Sequence, residues 1–70
     1  MNRHEKPISG PQARVQYLDG EYRVLKPGMF VLCAVTGEPI LLEELRYWSV
    51  DRQEAYVSPE AVMRAVSRPS

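Results

Sequence analysis

The chain has 70 residues, nine basic and nine acidic side chains, a formal charge of zero, one cysteine and 44% hydrophobic residues. That length allows one small domain; the single cysteine forms no intrachain disulfide and no multi-cysteine metal site. The balanced charge argues against a broad electrostatic footprint for nucleic acid or anionic lipid. The longest apolar run, Met29–Val35, falls far short of the roughly 18 residues of a membrane span, and Arg3 and Lys6 are followed by no apolar stretch of the signal-peptide kind. A soluble, cytoplasmic protein without membrane contact is expected.

Residues 1–12 carry two prolines, a glycine and a serine, with Ile8 the only aliphatic residue after Met1. So little apolar area does not offset the entropy of ordering, and the segment reads as a flexible tail. Residues 13–68 then form a single small domain. A fold of that size with no disulfide depends on a dense core, an oligomer or a bound partner.

Asp19-Gly20, between Ala13–Leu18 and Glu21–Lys26, fits a two-residue type I′ turn with positive φ at both positions. Counting outward pairs Leu18 with Glu21, Tyr17 with Tyr22, Gln16 with Arg23 and Val15 with Val24. Val15, Tyr17, Tyr22 and Val24 then share one apolar face, and Gln16 and Arg23 point the other way. Lys26–Met29 has Pro27 and Gly28 where a type II turn prefers them. Phe30–Val35 is short and apolar on both faces, the pattern of a central, doubly covered strand, and Thr36-Gly37-Glu38-Pro39 ends it. Ile40–Leu45 fits either a short strand or one helical turn. Leu45–Val50, rich in aromatic and branched residues, reads as a strand, turned back at Asp51-Arg52-Gln53 into Glu54–Val57.

The last element is a helix. Ser58 is its N-cap, Pro59 its first residue and Glu60 an acid in the electropositive first turn. Val57 and Val62 have the spacing of a hydrophobic staple. Val62, Ala65 and Val66 share one face, Arg64 follows Glu60 by one turn, and Pro69 stops the helix. The fold class is therefore α+β, mostly β: an N-terminal hairpin, a central strand, a second hairpin and one C-terminal helix packed on the sheet.

The blocks Cys33-Ala34-Val35-Thr36-Gly37, Leu45-Arg46-Tyr47-Trp48-Ser49-Val50 and Gln53-Glu54-Ala55-Tyr56 resemble the signature of a small bacterial family known only as a domain of unknown function. Tyr17-Leu18-Asp19-Gly20 and Pro27-Gly28 extend the resemblance over most of the chain after the tail. It implies no activity, ligand or catalytic residue. In the order of its elements the chain also resembles a treble-clef zinc finger, in which a Cys-x-x-Cys-Gly knuckle and a helix start each supply two ligands. Here the knuckle reads Cys33-x-x-Thr36-Gly37 and the helix start offers Ser58 and Ala61, so one of four positions carries a ligand. Structural zinc needs four Cys or His ligands, and His4, the one histidine, lies in the expected tail. That resemblance implies a finger-shaped fold held by apolar contacts, with Cys33 a ligand only if zinc is present.

Cys33 has Leu32 and Ala34 as neighbours and no cation beside it in sequence, which favours a buried small hydrophobe over a reactive thiolate. Tyr47 and Trp48 face opposite sides of a strand, so one covers the core and the other is available to a partner. Seven of the nine basic residues are arginine, the basic side chain most used at interfaces, and Arg14, Arg23, Arg46 and Arg52 fall on or beside strands that carry tyrosines. Arg14 and Arg23 are expected on the polar face of the first hairpin. Arginines interleaved with aromatics stack bases and grip phosphates, but residues 13–57 hold five basic and seven acidic groups.

Enzyme chemistry has no support: there is no glycine-rich phosphate loop, no Ser–His or Cys–His couple and no ligand cluster. The adjacent Glu43 and Glu44 point apart in either a strand or a helix. The expected function is a non-catalytic binding module without a cofactor. Its partner would be another protein or a second copy, held at an aromatic–arginine surface of Arg46, Tyr47, Trp48 and Arg52. The alternative is a nucleic-acid-binding accessory protein that uses Arg14, Arg23 and the same aromatic patch.

Overall fold

The computed structural model describes residues 10–67. Among these residues six short strands form three antiparallel hairpins, followed by one α-helix. Strands β1 (Arg14–Leu18) and β2 (Glu21–Lys26) make the first hairpin, β3 (Phe30–Leu32) and β4 (Pro39–Leu41) the second, and β5 (Tyr47–Ser49) and β6 (Glu54–Tyr56) the third. The helix, α1, runs over Pro59–Ser67. The chain is thus mostly strand with a single C-terminal helix, the expected class. Pro69, expected to stop the helix, and residues 1–9 of the expected tail lie outside the described residues. Pro11 and Gln12 are hydrogen-bonded into the fold: the Met29 N–H donates to the Pro11 carbonyl at 2.8 Å, and Gln12 bridges Phe30 in parallel.

The first hairpin has the register counted from its turn, Leu18 with Glu21 through Val15 with Val24, before a shift between Arg14 and Val15 sets Arg14 opposite Lys26. Its turn is not type I′. Gly20 has φ of 74°, while Asp19 stays at negative φ, so only one of the two positions a type I′ turn requires is left-handed. Lys26–Met29 is not a type II turn either, because Gly28 lacks positive φ. Gly28 is required there for a different reason. A Cβ on it would lie 2.6 Å from both Ala13 Cα and the Gln12 carbonyl carbon, and against the Ala13 nitrogen. Only a glycine lets these two backbone segments pass so closely.

The central strand is shorter than its apolar run. It ends at Leu32, and Ala34–Thr36 turn back toward β4. The Gly37 N–H donates to the Cys33 carbonyl at 2.9 Å, the Cys33 N–H donates to the Glu38 carbonyl at 2.8 Å, and Gly37 takes φ of 78°. Strand β3 has β4 on one side and single bridges on the other, from Phe30 to Gln12 and from Cys33 to Ala55. Ile40–Leu45 adopts both of its alternatives in succession, strand through Leu41 and then one 3-10 turn over Leu42–Glu44.

The core is Ala13, Tyr17, Val31, Cys33, Ile40, Leu45, Ala55, Tyr56, Ala61 and Ala65. Four of the ten are alanines, and among the described residues no large side chain is completely buried. The helix meets β5 and β6 through Ala61 and Ala65, small residues four apart that share one face. Val66, expected on that face, is 66% exposed; the buried stripe is centred one position round, and Val62 lies at its border. The Ser58 hydroxyl caps the helix by accepting the Ala61 N–H at 3.2 Å.

Candidate interaction surface

Trp48 fixes the middle of the molecule. Strand alternation turns its indole away from Tyr47 and toward the first hairpin. Its Nε1–H donates to the Leu18 carbonyl at 2.9 Å. The ring lies 6.0 Å from Tyr17 in a tilted arrangement and meets Tyr22 edge-on at 5.8 Å and 89°, a favoured geometry for aromatic pairs. Tyr22 in turn donates its hydroxyl to the Leu42 carbonyl at 3.3 Å. Trp48 is therefore a half-buried strut between the first and third hairpins.

Beside that strut is a groove of about 480 Å³ lined by Leu18, Asp19, Gly20, Arg46, Tyr47, Trp48, Val50 and Val62. It is built by the turn of the first hairpin, by β5 and its flanks, and by the helix. Tyr47 is 37% exposed and Val50 39% exposed along it. Three of the four residues expected in a binding surface, Arg46, Tyr47 and Trp48, meet here. Arg52 does not line the groove: its Nη1 donates to the Ala65 carbonyl at 2.8 Å, where a cation neutralises the negative end of the helix and satisfies a terminal carbonyl. Asp19, Val50 and Val62 line the same groove, a grouping that no local sequence pattern announces. Val62 has the spacing of a staple residue and Asp19 that of a turn residue; the groove unites them because the helix packs on β5 and β6 while Trp48 of β5 holds the first hairpin.

Arg14 and Arg23 are both exposed, and both lie on the Gln16 side of the hairpin, Arg14 two residues before Gln16 on β1 and the extra residue of the register shift being Leu25 on β2. Arg23 stands opposite Gln16 and Arg14 opposite Lys26, with the register shift between the two pairs.

Cys33 is buried at the head of its turn. Its sulfur accepts the Thr36 N–H at 3.4 Å and the Val57 N–H at 3.3 Å, which ties the turn to the residue before the helix N-cap. Burial pushes the thiol up; the Thr36 hydroxyl and the N–H groups of Thr36, Val35 and Val57 outweigh it and hold the thiol below its ordinary value. Thr36, Ser58 and Ala61, where a zinc finger would need further ligands, carry two hydroxyls and a methyl. Among the described residues no group of three or more His, Cys, Asp or Glu side chains is placed to hold a metal ion. No helix among them is long and apolar enough to cross a membrane.

No curated protein and no solved structure matches the chain. A family model matches residues 24–65, which include the Cys33–Gly37 turn, both strands of the third hairpin and most of the helix. The chain belongs to the family described as "Uncharacterized protein conserved in bacteria (DUF2093)".

Proposed function

We propose that the domain is a non-catalytic binding module of the cytoplasm, acting without a cofactor, and that its partner is a protein chain docked in the groove beside Trp48. The observation that carries this reading is the pairing of exposed Tyr47 and Val50 with a tryptophan held rigid by a hydrogen bond and two tyrosines. A preorganised aromatic anchor flanked by accessible apolar side chains lowers the entropic cost of association, and Trp, Tyr and Arg are the residue types that dominate binding energy at interfaces. Arg46 on the same groove supplies a planar donor to a carboxylate or carbonyl of the partner.

The test is capture of proteins from the native bacterial cytosol on the immobilised full chain, with and without nuclease. The wild type retains a nuclease-resistant protein partner, and Val50→Asp, which places a charge in the groove without touching the core, does not. Equal retention by both excludes the groove. Retention lost on nuclease treatment and on replacing Arg14 and Arg23 by Glu establishes the nucleic-acid alternative instead. That alternative draws on the Arg14–Lys26 pair, two like charges set opposite each other in the first hairpin.

A further inference from the structure

The charges on the groove narrow the choice of occupant. Its lining contains one acid, Asp19 in the first hairpin turn, and one base, Arg46 before β5, with an apolar strip of Leu18, Tyr47, Trp48, Val50 and Val62. Asp19 and Arg46 are exposed, and neither has an ion-pair partner among the described residues. Val66 stands one helical turn beyond Val62 and continues the apolar strip along the helix surface. Among the described residues the core is rich in alanine and no large side chain is completely buried, and chains this small commonly gain burial from a partner.

We propose that the groove is the two-fold interface of a homodimer, its occupant being the same face of a second copy. This deepens the binding-module reading and rests on it. In a two-fold interface a contact from residue i to residue j occurs twice, once in each direction. Charges on such a surface pair off fully only when its acids and bases match in number, and one of each is what this groove carries. Asp19 faces Arg46 of the partner subunit, Arg46 faces Asp19 of the partner subunit, and the apolar strips close between the two ion pairs. A nucleic acid is a poorer occupant, because Asp19 would meet phosphate oxygens.

Sedimentation equilibrium of the full chain over a range of concentrations, at low and at physiological salt, tests this. The wild type is a dimer whose dissociation constant rises with salt. Asp19→Arg and Arg46→Asp each turn both cross-subunit pairs into repulsions, and each weakens the dimer by about tenfold or more. Mixing the two variants in equal amounts restores association, since a heterodimer of Asp19→Arg with Arg46→Asp has two attractive pairs. The double variant on one chain is restored as well. A merely misfolded variant would give no such rescue, and the fluorescence of Trp48 confirms the fold of each. A chain that stays monomeric overturns the homodimer, as does a dimer indifferent to both substitutions. Capture of a different protein by the wild type but not by Val50→Asp would then show the groove to be a binding surface with another occupant. Loss of that discrimination removes the underlying reading too.

Discussion

The side-chain amide of Gln53 takes both backbone groups of Tyr17. The Tyr17 N–H donates to Oε1 at 2.9 Å, and Nε2 donates to the Tyr17 carbonyl at 2.8 Å. A neighbouring strand would make the same pair of bonds, so a single side chain caps this edge of β1 and ties the third hairpin to the first. Nε2 also donates to the Val50 carbonyl at 2.7 Å, closing the turn of its own hairpin. To reach all three, Gln53 adopts φ of 53°, the one described non-glycine residue in the left-handed region.

The backbone strain and the amide's contribution are separable. Gln53→Ala keeps the unfavourable φ and leaves the Tyr17 groups without the amide, at a cost of roughly 2–3 kcal/mol. Gln53→Gly loses the same bonds but tolerates the φ, and is expected to recover about 1 kcal/mol of that cost. Urea denaturation followed by Trp48 fluorescence gives the order wild type, Gly, Ala. Equal midpoints for the two variants would show that the left-handed backbone carries no strain.

Two glycines make a second contrast. Gly28→Ala pushes a methyl into the Gln12 and Ala13 backbone, which cannot yield as a side-chain tip does, and is expected to cost more than about 2 kcal/mol. Gly20→Ala meets no atom within 4 Å and bears only the left-handed conformation, about 1 kcal/mol. Thermal melts of the two variants check the difference. A Gly28→Ala midpoint at or above that of Gly20→Ala would mean that the Pro11–Ala13 segment moves aside freely.

Much of the fold was legible because local signals agreed with one another. The Asp19-Gly20 turn and the alternation around it fixed the register of the first hairpin, and Ser58-Pro59-Glu60 fixed the start of the helix. The misreadings share a cause. Phe30–Val35 is one apolar run, but hydrogen bonds to and from Cys33 fold its second half into a turn, and apolar content does not encode that. Val66 has a helical residue's spacing from Val62, yet the sheet meets the helix one position round, at Ala61 and Ala65. Of the four residues expected in a surface, Arg46, Tyr47 and Trp48 line one groove because strand β5 and its flank carry all three. Arg52 does not join them, because its partner is a carbonyl 13 residues away, and no pattern within a strand announces a bond to a later helix.

Arg46 and Arg52, six positions apart and of one residue type, are expected to answer to different measurements. Arg52→Ala removes the cation from the helix end and lowers stability by about 1 kcal/mol, with helical circular dichroism lost first. Arg46→Ala, at an exposed position, leaves stability within about 0.5 kcal/mol and weakens association. Measuring the urea midpoint and the dissociation constant of the proposed homodimer for each variant separates the roles. An Arg52→Ala variant that associates more weakly at unchanged stability would return that residue to the binding surface.

Cys33 makes stability depend on pH in a direction that can be worked out. Against the upward push of burial, the Thr36 hydroxyl and the N–H groups of the turn and of Val57 hold its folded-state ionisation below the ordinary 9.0. The folded state therefore binds the thiol proton less tightly than the unfolded chain does. The associated stabilisation is fully present above 9.0, fades as pH falls toward the folded-state value, and is lost below it. Tyr17 and Tyr56 work in the opposite sense. Burial raises both, with Glu54 adding to the shift of Tyr56; their contribution is intact below 10.0 and is lost as pH rises through their folded-state values. The stability of wild type minus that of Cys33→Ala, taken from urea unfolding under reducing conditions, cancels the tyrosines and isolates the thiol. That difference should grow from neutral pH up to 9.0 and then level off. A difference that is flat, or that shrinks with rising pH, would mean that burial outweighs the N–H donors and that the turn holds a neutral thiol.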